Sequence, residues 1–166
     1  MVFKVGLIGD ADVGKTSLWV RLVENRWVDQ PPIVENGNVH ITVMDRPVKI
    51  ILCDTASQER FRTISSSAYR GCSGFLICFD VSNRESFSSI LGHLREIERY
   101  GGDNVDKFLV GCKSDLESNR VINYEETSDL SSELEIDYIF TSAKTGEFVQ
   151  EALIVLVEAI LKRKQL

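Results

Sequence analysis

The chain is poor in the features that commit a protein to an oxidising compartment, a membrane span or a nucleic acid. Its four cysteines, Cys53, Cys72, Cys78 and Cys112, lie in or beside apolar stretches without C-x-x-C spacing. That placement suits neither a zinc site nor a disulfide framework, and predicts thiols kept reduced in a cytosolic setting. The two histidines, His40 and His93, stand alone, with no ligand spacing around either. No apolar run approaches the ~20 residues needed to cross a bilayer. Basic residues are in deficit: 19 Lys and Arg against 25 Asp and Glu leave a net charge of −6, so no broad positive surface for a nucleic acid is expected. The amino end opens on an apolar strand-like run rather than a signal peptide. At the other end, Lys162-Arg163-Lys164-Gln165-Leu166 holds no cysteine for a lipid and reads as a solvated helix end. A soluble protein is expected, with membrane attachment only if a lipidated tail follows Leu166.

What the chain does have is a core and a phosphate-binding signature. With 166 residues and 43% hydrophobic content, one globular domain is expected, without internal repeats or linkers. Gly9-Asp10-Ala11-Asp12-Val13-Gly14-Lys15-Thr16 fits GxxxxGK[ST] between an apolar run at 2–8 and a helical pattern at 17–24, the context that motif requires. Two glycines let the backbone wrap closely around an anion, N–H groups at the helix start point at phosphate oxygens, Lys15 adds a charge, and Thr16 offers a hydroxyl to Mg²⁺.

Downstream, an irregular segment at 25–37 carries Pro31-Pro32. Runs at 39–43 and 48–53, separated by Met44-Asp45-Arg46-Pro47, predict a hairpin. Further strands are expected at 74–79, 108–111 and 138–140. Phe87, Ile90, Leu91, Leu94 and Ile97 predict one face of a helix; 124–134 predicts a more polar one, and 148–161 a core helix starting at Phe148. Alternating strands and helices predict a mostly parallel sheet covered on both faces. Such sheets bind ligands beyond the carboxyl ends of their strands, and the polar stretches at Asp54, Asp80, Cys112 and Thr141 all fall at such ends.

Several of these stretches are distinctive in themselves: Gln58-Glu59-Arg60-Phe61-Arg62-Thr63-Ile64, Tyr69-Arg70-Gly71, Phe79-Asp80-Val81-Ser82-Asn83-Arg84-Glu85-Ser86-Phe87, Gly111-Cys112-Lys113-Ser114-Asp115-Leu116 and Thr141-Ser142-Ala143-Lys144-Thr145-Gly146. With the phosphate loop they resemble, over the whole chain, the Ras superfamily of small GTPases and in particular its Rab branch. The resemblance implies a P-loop small GTPase fold of class α/β: six strands, mostly parallel with one antiparallel edge hairpin, and helices on both faces, as a single G domain over 1–166. It implies a monomeric GTP/GDP switch with slow GTP hydrolysis, working in vesicle trafficking at the cytoplasmic face of membranes with protein effectors and an exchange factor.

Roles carry over residue by residue. Asp12, Val13, Gly14, Lys15, Thr16 and Ser17 would hold the phosphates, and Thr16 and Asp54 would hold Mg²⁺. Asp115 would accept from the two donors on the guanine edge, which adenine does not present together. Lys113 and Lys144 would lay their stems along the base, and Ser142 and Ala143 belong to the loop whose Ala143 N–H reaches the guanine carbonyl. Trp27 falls where the family has an aromatic over the base, a contact worth ~1–3 kcal/mol; as a residue it equally fits an amphipathic surface position. Gln58 sits where the family orients the attacking water.

The sequence also departs from the family, chiefly around the outer phosphate. The loop at 28–37 is shorter than in typical Rabs and has Pro31-Pro32-Ile33-Val34 where the family has a Thr that gives a hydroxyl to Mg²⁺ and an N–H to the terminal phosphate. Proline has neither group, and Thr42 lies inside the next strand. Ser57 replaces the glycine of DTAGQ, restricting φ and ψ. Cys112 replaces the asparagine of NKxD, an amide that bonds the base and braces the phosphate loop. Asp12 puts a carboxylate in the phosphate loop, either turned to solvent or hastening nucleotide release. Asn36, Cys53 and Ala68 stand where Rabs carry a partner-reading aromatic cluster, so ordinary Rab effectors are expected to bind weakly. Two functions follow: a working switch, or a non-cycling scaffold of the same fold. A small P-loop kinase would need an arginine-rich lid, which no stretch supplies.

Overall fold

A computed structural model describes residues 1–55 and 66–166. Its organising strand is β1 (Val2–Gly9), buried from Val5 to Gly9. A continuously apolar strand needs cover on both faces and neighbours on both edges. It has parallel neighbours on each side, β3 (Arg46–Asp54) and β4 (Gly74–Asp80). Adding β2 (Asn36–Val43), β5 (Asp106–Cys112) and β6 (Tyr138–Phe140) gives the order β2-β3-β1-β4-β5-β6, in which only the β2–β3 pairing is antiparallel. The expected α/β sheet with one edge hairpin is present.

Side chains alternate across the pleat and divide the core in two. Val5, Leu7, Leu76, Cys78, Phe108 and Val110 face α1 (Lys15–Glu24) and α5 (Val149–Arg163). Ile8, Phe75, Ile77, Phe79 and Leu109 face the other side, covered by α2 (Arg84–Ser88), α3 (Ile90–Tyr100) and α4 (Tyr124–Leu134). The α4 start is fixed by a capping box between Asn123 and Glu126, and Arg84 of α2 makes a two-pronged bond to the same Glu126, at 2.8 and 2.9 Å. That bond holds the Glu126 carboxyl below its ordinary range. Among the described residues no helix is long and apolar enough to cross a membrane.

Three local expectations are corrected. The hairpin turn is only Met44-Asp45, both left-handed (φ 52° and 60°), so β3 begins at Arg46. This is the double positive φ of a type I′ turn, which suits the twist of paired strands even without its usual glycine. Pro47 is tolerated because it pairs only with Thr42 of β2, beyond the first β1 pair at Lys49. Leu91 is exposed (45%), because Ile90, Leu94 and Ile97 form the inward stripe of α3 and the next residue turns about 100° away from it. Phe148 is also exposed (49%): it is the left-handed residue preceding α5 (φ 57°), outside the helix whose inner face starts at Val149.

The five carboxyl ends of the parallel strands, Gly9, Asp54, Asp80, Cys112 and Phe140, emerge along one edge of the sheet. The hairpin is pinned beside them by Gly37, where a Cβ would lie 2.5 Å from the Trp19 ring and 2.7 Å from Val23. Trp19 is itself fixed by an N–H donated to the Leu52 carbonyl at 3.2 Å. Gly37→Ala is therefore expected to cost about 1–3 kcal/mol through overpacking, read as a lowered midpoint in urea unfolding with an unchanged slope.

Candidate functional site

At the end of β1 the backbone passes so close to β4 that a Cβ on Gly9 would lie 2.4 Å from the Cys78 carbonyl oxygen. Only glycine fits there. The loop then turns through Asp12 (φ 63°) and Gly14 (φ 111°) into α1, whose first turn has no acidic residue and no side-chain cap. Such a helix start presents its free N–H groups and positive dipole end to an anion. Lys15 is buried (2% exposed), and its ammonium donates back to the Gly9 and Asp10 carbonyls at 2.7 and 2.6 Å. Thr16 donates its hydroxyl to Asp54 Oδ2 at 2.5 Å, where β3 ends.

Two cavities adjoin above these residues. The larger, about 630 Å³, is walled by Lys15, Thr16, Asp54 and Asp12 on one side and by Pro31, Pro32, Ile33 and Val34 on the other. The smaller, about 200 Å³, is lined by Cys112, Asp115, Leu116, Thr141, Ala143 and Lys144. Gly14, Ser17, Trp27 and Lys113 line both. The result is one cleft with a polar, anion-suited half and a more apolar half at the β5 and β6 ends.

Lys113 joins the halves. Held in a left-handed conformation (φ 62°), it places its ammonium 2.8 Å from Asp80 Oδ2 and donates to the Asp12 carbonyl, also at 2.8 Å. Asp80 is oriented in turn by the Ser82 N–H and hydroxyl. Ser142 is wholly buried and donates to Asp115 Oδ1 at 2.8 Å, so it acts on the cleft by aiming that carboxylate. Val13 is packed in the core and leaves its backbone to the loop. Asp12 has an exposed side chain at the rim of the larger cavity. Trp27 lies where the cavities meet, 37% exposed, with its N–H donated to Asp29 at 3.1 Å. Gln58 and Ser57 lie outside the described residues.

Two contributors were not legible beforehand. Arg21, one turn from the end of α1, donates to the carbonyls of Ala143 (2.9 Å) and Lys144 (3.0 Å), clamping the loop that lines the smaller cavity. Asp80 anchors Lys113. Arg21 shows itself in sequence only as a basic residue in a helix's last turn, and nothing there links it to position 143.

The oxygen donors of Thr16 and Asp54 suit a hard cation such as Mg²⁺, which binds through one or two protein oxygens plus waters and ligand phosphates. Asp54 is 5% exposed, touches the hydroxyl of Thr16 and borders the larger cavity, so the pair fits that ion. Among the described residues no cluster of three His, Cys, Asp or Glu forms a different metal site. The four cysteines are free and buried. Burial pushes the Cys72 thiol up to about 12, and the hydrogen bond shared with Cys112 together with full burial raises Cys78 well above the usual thiol value.

A glycine-lined phosphate loop, a Thr–Asp pair and a Lys-x-Asp loop at the strand ends of a mostly parallel sheet define a P-loop nucleotide-binding protein. The Ras family model matches residues 4–162, and the chain belongs to the Ras family as a Rab-related, GTP-binding small GTPase. It is 41% identical to the Ras-related protein RABD2a of Arabidopsis thaliana and 40% identical to the GTP-binding protein YPTM2 of Zea mays, each over 98% of this chain and 81% of the relative. The Ras-related protein RIC1 of Oryza sativa subsp. japonica is 39% identical over 98% of this chain and 82% of its own length.

Beside Cys112 one buried polar group stands unpaired. Thr141, 1% exposed, has a buried hydroxyl with no hydrogen-bond partner among the described residues, and it lines the smaller cavity together with Cys112. An asparagine at 112 would bring an amide to that cavity, whereas the Cys112 thiol is a weak donor that lies 3.9 Å from the Val110 carbonyl. Cys112→Asn is expected to tighten GDP binding about fivefold, as one regained hydrogen bond is worth ~1 kcal/mol. An unchanged equilibrium affinity would remove this account of the position.

Proposed function

We propose that residues 1–166 form one guanine-nucleotide domain that takes GDP or GTP with Mg²⁺ and serves as a Rab-like switch with slow hydrolysis, in vesicle trafficking at the cytoplasmic face of membranes. The observation that carries this reading is the pair of adjoining cavities with Gly14, Ser17, Trp27 and Lys113 shared between them. The polar half suits the phosphates, and the half closed by Asp115, Ala143 and Lys144 suits the base.

In this reading Lys15 and the α1 N-terminus take phosphate charge, Asp115 selects guanine, and Trp27 covers the base at the junction. Thr16 and Asp54 hold Mg²⁺, which supplies charge neutralisation to the outer phosphates. Gln58 is assigned to positioning water by resemblance alone. Asn36 and Cys53 face each other across the β2–β3 register, Cys53 is buried, and Ala68 is half-buried. Partners must therefore bind without an aromatic cluster at that patch.

One observation favours the second reading, a scaffold that does not cycle. Pro31 and Pro32 wall the cavity that suits the phosphates, and a proline ring offers an incoming terminal phosphate no N–H. The readings are separated by stripping the protein of nucleotide, then measuring affinities for GTP, GDP and ATP and single-turnover hydrolysis, with and without Mg²⁺. The switch predicts guanine preferred over adenine by roughly a hundredfold or more, tighter GTP binding with the metal, and turnover above the buffer rate. GTP turnover equal to buffer with metal-independent binding would leave only the scaffold.

A further inference from the structure

We propose that Ser89 and His93, at the start of α3, are positioning residues for the phosphate loop, acting through the side chain of Asp10. The inference rests on the nucleotide reading above and deepens it. Asp10 is the first residue after β1, whose last ladder pair is Gly9 with Cys78. Its peptide has left the sheet, yet its carbonyl is one of the two that receive the Lys15 ammonium.

What fixes Asp10 is its carboxylate. Ser89 donates its hydroxyl to Oδ2 at 2.7 Å, and His93 Nε2 lies 2.8 Å from Oδ1. An ionised carboxylate only accepts, so Nε2 carries the proton in this bond. Ser89 and His93 are four residues apart, joined by the His93 N–H to Ser89 carbonyl bond of 3.1 Å, so they meet one carboxylate from one helix face. The contact is half-buried, with side-chain exposures of 17% for His93 and 32% for Asp10.

Two consequences for the site follow from this geometry. The Asp10 carbonyl is aimed by a clamp anchored in α3, and with it the Lys15 ammonium. The negative charge of Asp10 is also drawn toward α3 by two donors, away from a loop that must accept a polyanion. Charge-assisted bonds of this kind are stronger than neutral ones. The clamp therefore bears on phosphates and leaves the base half of the cleft, built on β5 and β6, alone.

The test uses the full chain loaded with a fluorescent GDP analogue. Release rates are measured for the unaltered protein and for Ser89→Ala, His93→Ala, the double variant and His93→Gln, whose amide can again donate toward Asp10. Guanosine affinity, followed by protein NMR, reports the base half alone. The double variant is expected to release GDP about tenfold faster, the loss of a hydrogen bond to a charged group. His93→Gln should return toward the unaltered rate, and guanosine affinity should stay within about twofold throughout. Unchanged GDP release in the double variant overturns the clamp, as does a guanosine affinity that falls in step with GDP, which would mark a general loss of structure. If the unaltered chain bound no GDP, the nucleotide reading itself would fall, a result distinguishable from both.

Discussion

Everything at the cleft depends on how closely the end of β1 passes β4. With no room for a Cβ at Gly9 against the Cys78 carbonyl, the chain leaves the sheet in a single direction, and the next five residues are committed to a tight loop. That loop brings the Gly9 and Asp10 carbonyls around the Lys15 ammonium and delivers α1 with its N-terminus open to the cleft. The phosphate loop is thus a product of strand packing as much as of its own residues.

The second organising contact is Lys113. A buried carboxylate at the end of β4 and a loop carbonyl after β1 share one ammonium, so three strands contribute to one electrostatic joint. Parallel pairing makes this possible, since it brings the carboxyl ends of β1, β4 and β5 to the same edge. Charges that would be scattered in an antiparallel sheet become neighbours. The Ser142 to Asp115 bond repeats the pattern between β5 and β6.

The sheet, its order of elements and most of the cleft were legible because they are written in local patterns. The apolar run of β1, the glycine spacing of the phosphate loop and the Lys-x-Asp triplet each depend on neighbours in sequence. Arg21, Asp80 and the Asp10 clamp were not legible, because each acts on a partner 33 to 122 residues away and none changes a local pattern. Leu91 and Phe148 depart from the periodic pattern for a different reason: both sit one residue outside an apolar stripe, where periodicity is least discriminating. The departures at Pro31, Pro32 and Cys112 were visible in sequence. The proline-walled cavity and the unpaired Thr141 hydroxyl beside Cys112 needed the packing.

Helix α1 carries one more consequence. Its first residues, Lys15 and Thr16, belong to the phosphate half of the cleft, and Arg21 holds the 143–144 loop at the other half. Six residues of helix rise about 9 Å, so a single stiff rod acts as a ruler between the two halves. The cleft consequently has a built-in gauge length: shortening or kinking that rod would shift the register between the two ends of any bound molecule while leaving each end's chemistry intact.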